Sequence, residues 1–237
     1  MKRKNLFYLI IFVFFTGYGF YSSQVFGNSI PETQNQQDPL KENQILYNGK
    51  VWRNLFTNVK GDQFLFSKAY LPGSVTMNGT QFKNLNINYD IYNDELTTPK
   101  NNGTILQLNK EMVDSFTLVN EFKTYLFRNT DADSLNGITG FVCVLYQGES
   151  ALYIKYRKEI ELLAVDDKYD LFYQTQKVFL VKKGIVYQIS SKRDLLNAMQ
   201  EDKTQIRAFL KKNGLKVSKK VPESFVPVIR YYDSLSQ

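Results

Sequence analysis

From Leu46 onward, apolar and polar residues alternate in short runs separated by turn dipeptides. The clearest run is 85–92, where Leu85, Ile87, Tyr89 and Ile91 alternate with Asn86, Asn88, Asp90 and Tyr92. A period of two sends one set to a core and the other to solvent or a second layer, which predicts a strand. Residues 152–158 repeat the pattern, with Leu152, Ile154 and Tyr156 on one face and Tyr153, Lys155 and Arg157 on the other. Further strands are predicted at 63–67, 104–109, 113–118, 121–127, 139–146, 170–175, 177–182 and 185–189. Asn48-Gly49 and Asn78-Gly79 are the strongest two-residue hairpin signals, because both residues tolerate positive φ. Gln147-Gly148 and Lys183-Gly184 are weaker ones, and Asn101-Asn102-Gly103 marks another turn. Such short, regular spacing predicts antiparallel, hairpin-connected neighbours. No repeat of fixed period accompanies it, which argues against a propeller or solenoid.

The period changes after Ser190. Ser191-Lys-Arg-Asp194 resembles a capping box with Asp in place of Glu, and Leu195, Leu196 and Met199 then recur at helical spacing. A second helix is predicted from about Asp202 to Lys212, with Ile206, Phe209 and Leu210 on one face and Asn213-Gly214 as its stop. Beyond the basic stretch Lys216–Lys220, Pro222 can open a third helix carrying Val226 and Ile229. The expected fold is α+β, mainly β: an antiparallel β-meander, as a curved sheet or half-barrel, with C-terminal helices packed on it. One β-rich domain is expected over 46–237, its helical segment spanning about 191–237.

The front of the chain differs. Lys2, Arg3 and Lys4 precede an apolar run that extends from Leu6 to Phe20. A charged n-region before an apolar h-region is the pattern of an export signal. As a membrane anchor the run would reach only ~22 Å against the ~30 Å hydrocarbon core, so a cleaved signal over 1–27 is favoured. Cleavage after Gly27 suits the polar sequence that follows, and Gly19 offers a second site. Residues 28–45 hold two prolines and few apolar groups, which predicts a disordered leader. The mature chain is expected in the periplasm or outside the cell, soluble, with association to the outer membrane left open.

Composition narrows the chemistry. Hydrophobic residues make up 43% of the chain and aromatic residues 15%, a balance that suits half-buried pleated surfaces. The formal net charge is +7, of which three charges belong to the signal, and a mildly basic exported remainder does not call for nucleic acid. Cys143 is the one cysteine, so no internal disulfide can form, and its flanking valines predict a buried, inert thiol. Histidine is absent, which excludes Ser-His-Asp and Cys-His nucleophile systems and His-ligated zinc. Neither a phosphate loop nor a dinucleotide fingerprint occurs, and no S-x-x-K opens a convincing helix. No catalytic, cofactor or metal residue is therefore assigned, and no cofactor is expected.

Five groups remain to be weighed. Asp90, Asp94 and Glu95 could supply the paired carboxylates of a glycoside hydrolase, or simply a strand end and a solvated turn. Asn129-Thr-Asp131-Ala-Asp133 begins like a calcium loop, but Ser134 and Gly140 stand where the turn glycine and the bidentate glutamate belong. Tyr153, Lys155, Tyr156 and Arg157 interleave aromatic and basic side chains, as a surface for a glycan, an anionic lipid or an envelope protein would. The same residues also suit an ordinary exposed strand, and the lysines at 211–212 and 216–220 have the same two readings. Asn78-Gly-Thr80 and Asn102-Gly-Thr104 match the N-glycosylation pattern, yet read better as turns.

Three stretches together carry a resemblance. They are Gly73-Ser-Val-Thr-Met-Asn-Gly-Thr-Gln-Phe-Lys-Asn-Leu85, Tyr89-Asp-Ile-Tyr-Asn-Asp-Glu-Leu96 and Val113-Asp-Ser-Phe116. With Ser190-Ser-Lys-Arg-Asp-Leu-Leu196, Ile206-Arg-Ala-Phe-Leu-Lys-Lys-Asn213 and Tyr231-Tyr-Asp233, the chain resembles uncharacterised exported proteins of Bacteroidota. That resemblance implies an envelope location and a β-rich domain with C-terminal helices. It brings no activity and no site residues. The leading expectation is a non-enzymatic binding or structural module of the envelope. The alternative is a periplasmic lipid or lipoprotein carrier with a half-barrel cavity, and a carboxylate-based hydrolase stands third. A carrier needs an unfilled apolar inner face, a binding module an exposed patch centred on aromatics, and a hydrolase two carboxylates across a cleft.

Overall fold

The computed structural model describes residues 44–131, 137–162 and 170–235. The predicted signal, nearly all of the polar leader, and Asp133 and Ser134 lie outside the described residues. Twelve strands form one open, curved sheet among the described residues, so the mainly β expectation holds. Its order begins at one edge with β1 (Lys50–Val51), β6 (Ile105–Gln107), β5 (Glu95–Pro99), β4 (Thr80–Asp90) and β3 (Leu71–Met77). It continues through β7 (Val113–Asn120), β8 (Lys123–Asn129), β9 (Phe141–Gln147), β10 (Ala151–Glu161), β11 (Asp170–Lys182) and β12 (Ile185–Ile189). These neighbours are all antiparallel, while β2 (Val59–Lys60) runs parallel to the start of β11.

The sheet bends until its two arms touch. The Lys158 backbone N–H on β10 donates to the Ile91 carbonyl just past β4 at 3.2 Å. Its ammonium reaches the Asp62 carboxylate at 2.9 Å. The bend encloses an aromatic core built from the alternating positions of β4, β7, β8 and β9. Phe116 and Phe127 stack at 4.6 Å, and Tyr89 and Phe141 meet them edge-on. Val75, Met77, Ile87, Ile91, Leu96, Leu118 and Ile154 complete the filling. Ile87, Tyr89, Ile91, Leu152 and Ile154 are all buried, as the alternation predicts. Cys143 lies in this core, and burial pushes its thiol up to about 12.

Toward β12 the same face is covered by helices instead. Leu152, Val178, Leu180 and Ile189 pack against Leu195, Met199, Ile206, Leu210, Phe225 and Val228. The helices are α1 (Lys192–Ala198), α2 (Lys203–Lys212) and α3 (Val226–Leu235), the last preceded by a 3₁₀ turn at Pro222–Phe225. The predicted cap forms at α1. Ser191 Oγ accepts from the Asp194 N–H at 3.3 Å, and the Asp194 carboxylate accepts from Ser190 N–H at 3.0 Å and from Ser191 Oγ at 3.0 Å. Gly214 takes a φ of 61°, and Leu215 N–H closes back on the Leu210 carbonyl at 3.0 Å, which stops α2 where the sequence says it should stop.

Several local expectations fail for identifiable reasons. Residues 63–67 make one bridge, Phe64 to Asp90, rather than a strand. Asp62 and Ser67 side chains bind the N–H groups of Phe64 and Ala69, and such local bonds compete with a ladder. The expected break at 176 is absent, because Gln176 stays paired with Tyr156 and β11 runs unbroken. Asn48-Gly49 is no hairpin turn. Gly49 is needed there because a Cβ would collide with the Gln107 carbonyl as the chain enters β1. Two strands were hidden by prolines. Pro72 stands just outside the β7 pairing, which starts at Gly73, and Pro99 ends β5.

Candidate functional site

The turn from Ile91 to Asp94 brings the acidic segment to the rim of the bent sheet. Asp90 is spent on the turn itself. Its Oδ1 accepts from the N–H groups of Tyr92 and Asn93, both at 2.9 Å, and Oδ2 accepts from Asn93 Nδ2 at 2.8 Å. Burial pushes the Asp90 carboxyl up, against those bonds. Asp94 takes a φ of 62°, which aspartate tolerates, and so aims inward. Its Oδ1 accepts from Lys155 at 2.9 Å and from the Tyr89 hydroxyl at 2.5 Å. Its Oδ2 accepts from Lys110 at 2.7 Å.

The electrostatics follow from that geometry. Burial works against the Asp94 charge, but Lys155 and Lys110 outweigh it and hold the carboxyl below its ordinary range. Burial pushes Lys155 down, and Lys110 adds to this against the pull of Asp94. Lys110 loses less to burial and gains from Asp94 and Asp131, so it moves up. Burial and the adjacent Asp94 charge push the Tyr89 phenol well up. Gly140 packs directly over this cluster at a φ of 70°, where a Cβ would strike the Asp94 carboxylate. The group is closed and mutually satisfied. It fastens the rim turn to β10 and to the segment before β7.

The other candidates disperse. Tyr153 is buried on the outer face with Ile138, Val142 and Phe179, and its hydroxyl accepts from Arg128 at 3.1 Å. Lys155 is taken by Asp94 and by the Phe141 carbonyl at 3.0 Å. Tyr156 turns to the inner face and packs on the aromatic core, where burial pushes its phenol up. Arg157 is exposed, 3.8 Å from Glu159. The four residues share a strand but no surface. Nor do Asp90 and Asp94 serve one cleft, since each is engaged by its own donors. In the calcium-like segment, Asp131 accepts from the Gly140 N–H at 2.6 Å and Asn129 ties the Lys110 and Val113 carbonyls. Among the described residues no acidic or thiol group has the clustering of a metal site.

Comparison was made with family models, curated proteins and solved structures. None matches the chain.

A patch that alternation does not mark lies at the β1 edge. Among the described residues β1 pairs only with β6, and Trp52 N–H adds one bond to the Ile105 carbonyl at 2.9 Å. Val51 is 60% exposed and Leu55 81% exposed. The single tryptophan, Trp52, is half-buried against Phe64 at 5.9 Å. Phe56 is wedged edge-on between Tyr92 at 4.9 Å and Phe172 at 5.4 Å, which anchors the segment. Open grooves of about 480 Å³ and about 360 Å³ lie beside it, the first bounded by Lys50 and Lys110, the second by Trp52, Arg53 and Glu95. A short open strand, exposed apolar side chains and an aromatic anchor are the parts of a peptide-docking edge.

Proposed function

We propose that the protein is an exported, non-enzymatic binding module of the cell envelope, which holds an extended segment of a protein partner along β1. The observation that carries this reading is the combination of a β1 edge unpaired among the described residues with the exposed Val51 and Leu55. Docking there would add main-chain hydrogen bonds to β1 and set apolar side chains over Leu55 and beside Trp52. The filled inner face supports a surface role over a carrier role, because Phe116, Phe127 and Phe141 occupy the space a lipid would need. Export rests on the charged and apolar pattern of residues 2–20. Among the described residues no helix is long and apolar enough to cross a membrane.

The test is site-directed photocrosslinking in the native host. A crosslinker at position 55 should yield an adduct of one defined mass in the envelope fraction. One at position 185, also exposed, on β12 at the far edge, should not. Adducts that are alike at both positions, or none at position 55, would reject the reading.

A further inference from the structure

The helical face holds a second feature, independent of β1. Lys192 and Arg193 of α1 and Lys203 and Arg207 of α2 line one open groove of about 500 Å³, with Asn197 at its side and Leu196 as its floor. Among the described residues none of these four cations makes an ion pair or a side-chain hydrogen bond. The nearby acids are engaged elsewhere. Asp194 caps α1 through Ser190 and Ser191, Glu201 binds Lys182 and Tyr232, and Asp202 accepts from Gln205. Lys203, Arg207 and Lys211 follow one another at four-residue spacing, where like charges weaken a helix. Lys192 and Arg193 stand in the first turn of α1, where the helix dipole also disfavours cations.

The geometry points to a phosphate-binding groove between α1 and α2. A phosphate group offers several anionic oxygens, which match converging cations better than a single carboxylate does. The guanidinium forks of Arg193 and Arg207 can each take two oxygens, and Lys192 and Lys203 add point charges. The Asn197 amide supplies a further donor, and Leu196 can back the apolar atoms next to the phosphate. The group can belong to a soluble phosphate or to a lipid head group at a membrane surface.

Two probes separate these sources: calorimetric titration of the full chain with inorganic pyrophosphate at low salt, and co-sedimentation with vesicles of phosphatidylcholine and phosphatidylglycerol in equal parts. Pyrophosphate binding alone assigns a soluble ligand, and vesicle binding alone assigns a head group. Either should weaken at least about tenfold in the K203Q/R207Q double variant and fall with added salt. That variant should unfold at or slightly above the parent temperature, because it relieves like-charge repulsion. The K192Q/R193Q pair provides an independent second variant with the same expected loss. Failure of both probes, undiminished binding by both double variants, or equal binding to pure phosphatidylcholine vesicles would overturn the assignment.

Discussion

Lys155 and Lys182 stand on the neighbouring strands β10 and β11, yet their amino groups shift in opposite directions. The Lys182 side chain is the more enclosed, at 7% exposed against 21%. Side-chain exposure alone does not set the shift, because Lys155 lies deeper in the protein and loses more to burial. Lys182 donates to Glu201 and to the Ala198 carbonyl, both at 2.7 Å, and lies near the Tyr232 ring. Burial opposes its charge, but the Glu201 and Tyr232 oxygens outweigh that and move it up. Lys155 must share Asp94 with Lys110, so a second cation works against it. What separates the two lysines is the balance of burial and bonding: burial prevails at Lys155, whereas the Glu201 and Tyr232 oxygens together prevail at Lys182. The two halves of the inner face differ as well. The bent half is closed by the sheet itself and locked at its rim by a shared carboxylate. The other half is closed by added helices, tied down by Lys182 on Glu201, with Lys183 3.8 Å from the same carboxylate.

The largest expected effect comes from removing the second closure. Deleting residues 191–237 would expose Leu152, Val178, Leu180 and Ile189 at once. Residues 46–190 alone should lose cooperative unfolding, or bind a hydrophobic dye far more strongly than the full chain. A truncated form as stable as the parent, with no added dye binding, would show that the helices are an appendage and the two halves independent.

A smaller effect should come from the charged locks, and here the comparison sharpens. Asp94→Asn removes the carboxylate that Lys155 and Lys110 share, leaving Asp131 beside Lys110 alone, and should cost about 3 kcal/mol in urea unfolding at neutral pH. Glu201→Gln should cost clearly less, since its side chain is 45% exposed and solvent screens the pair. The two variants should also differ in acid. Both carboxyls lie below their ordinary values in the folded chain, Glu201 falling from 4.5 to about 2. In that range the unfolded chain binds more protons, so the stability each supplies is full above the unfolded value and lost as pH falls through the folded one. For Glu201 the loss runs from pH 4.5 to about 2. The urea midpoint of the Glu201→Gln variant should therefore fall less steeply than the parent's across that window. Equal slopes would mean that the pair does not form in solution.

Much of the fold can be read from residue order alone, wherever one local rule acts. Ile87, Tyr89 and Ile91 are buried because period-two alternation meets a one-sided core. α1 begins at its Ser191 cap, α2 stops at Asn213-Gly214, and Lys183-Gly184 turns with φ values of 51° and 75°. Legibility fails where a distant partner decides. Asn88 and Asp90 occupy the polar face of β4, yet both are buried, because the Ser67 and Lys68 carbonyls and the 91–94 turn supply their partners. Tyr153, Lys155, Tyr156 and Arg157 look like one stripe in sequence, but alternation and the reach of Asp94 scatter them. The β1 patch carries no periodic signal, since a two-residue strand is too short to have a period. Its one sequence cue is the isolated Trp52 among Val51, Leu55 and Phe56.

The smallest effect probes a turn that residue order conceals. β7 and β8 are joined through Glu121 and Phe122, with φ values of 48° and 64° and neither Gly nor Asn present. Two successive residues at positive φ match the tight type I′ geometry that suits the twist of a hairpin. A bulky L-residue there costs roughly 1–2 kcal/mol relative to glycine. Phe122 makes no compensating burial, being 107% exposed. Phe122→Gly should therefore stabilise the chain by about 1 kcal/mol, read as a higher urea midpoint with an unchanged slope. The gain is held below the full strain because glycine also loosens the unfolded chain. It should appear undiminished in the Glu201→Gln background, since the β7–β8 turn shares no partner with the Lys182 lock. A destabilised Phe122→Gly variant would mean that the Phe122 side chain makes contacts in solution that hold this tip in place.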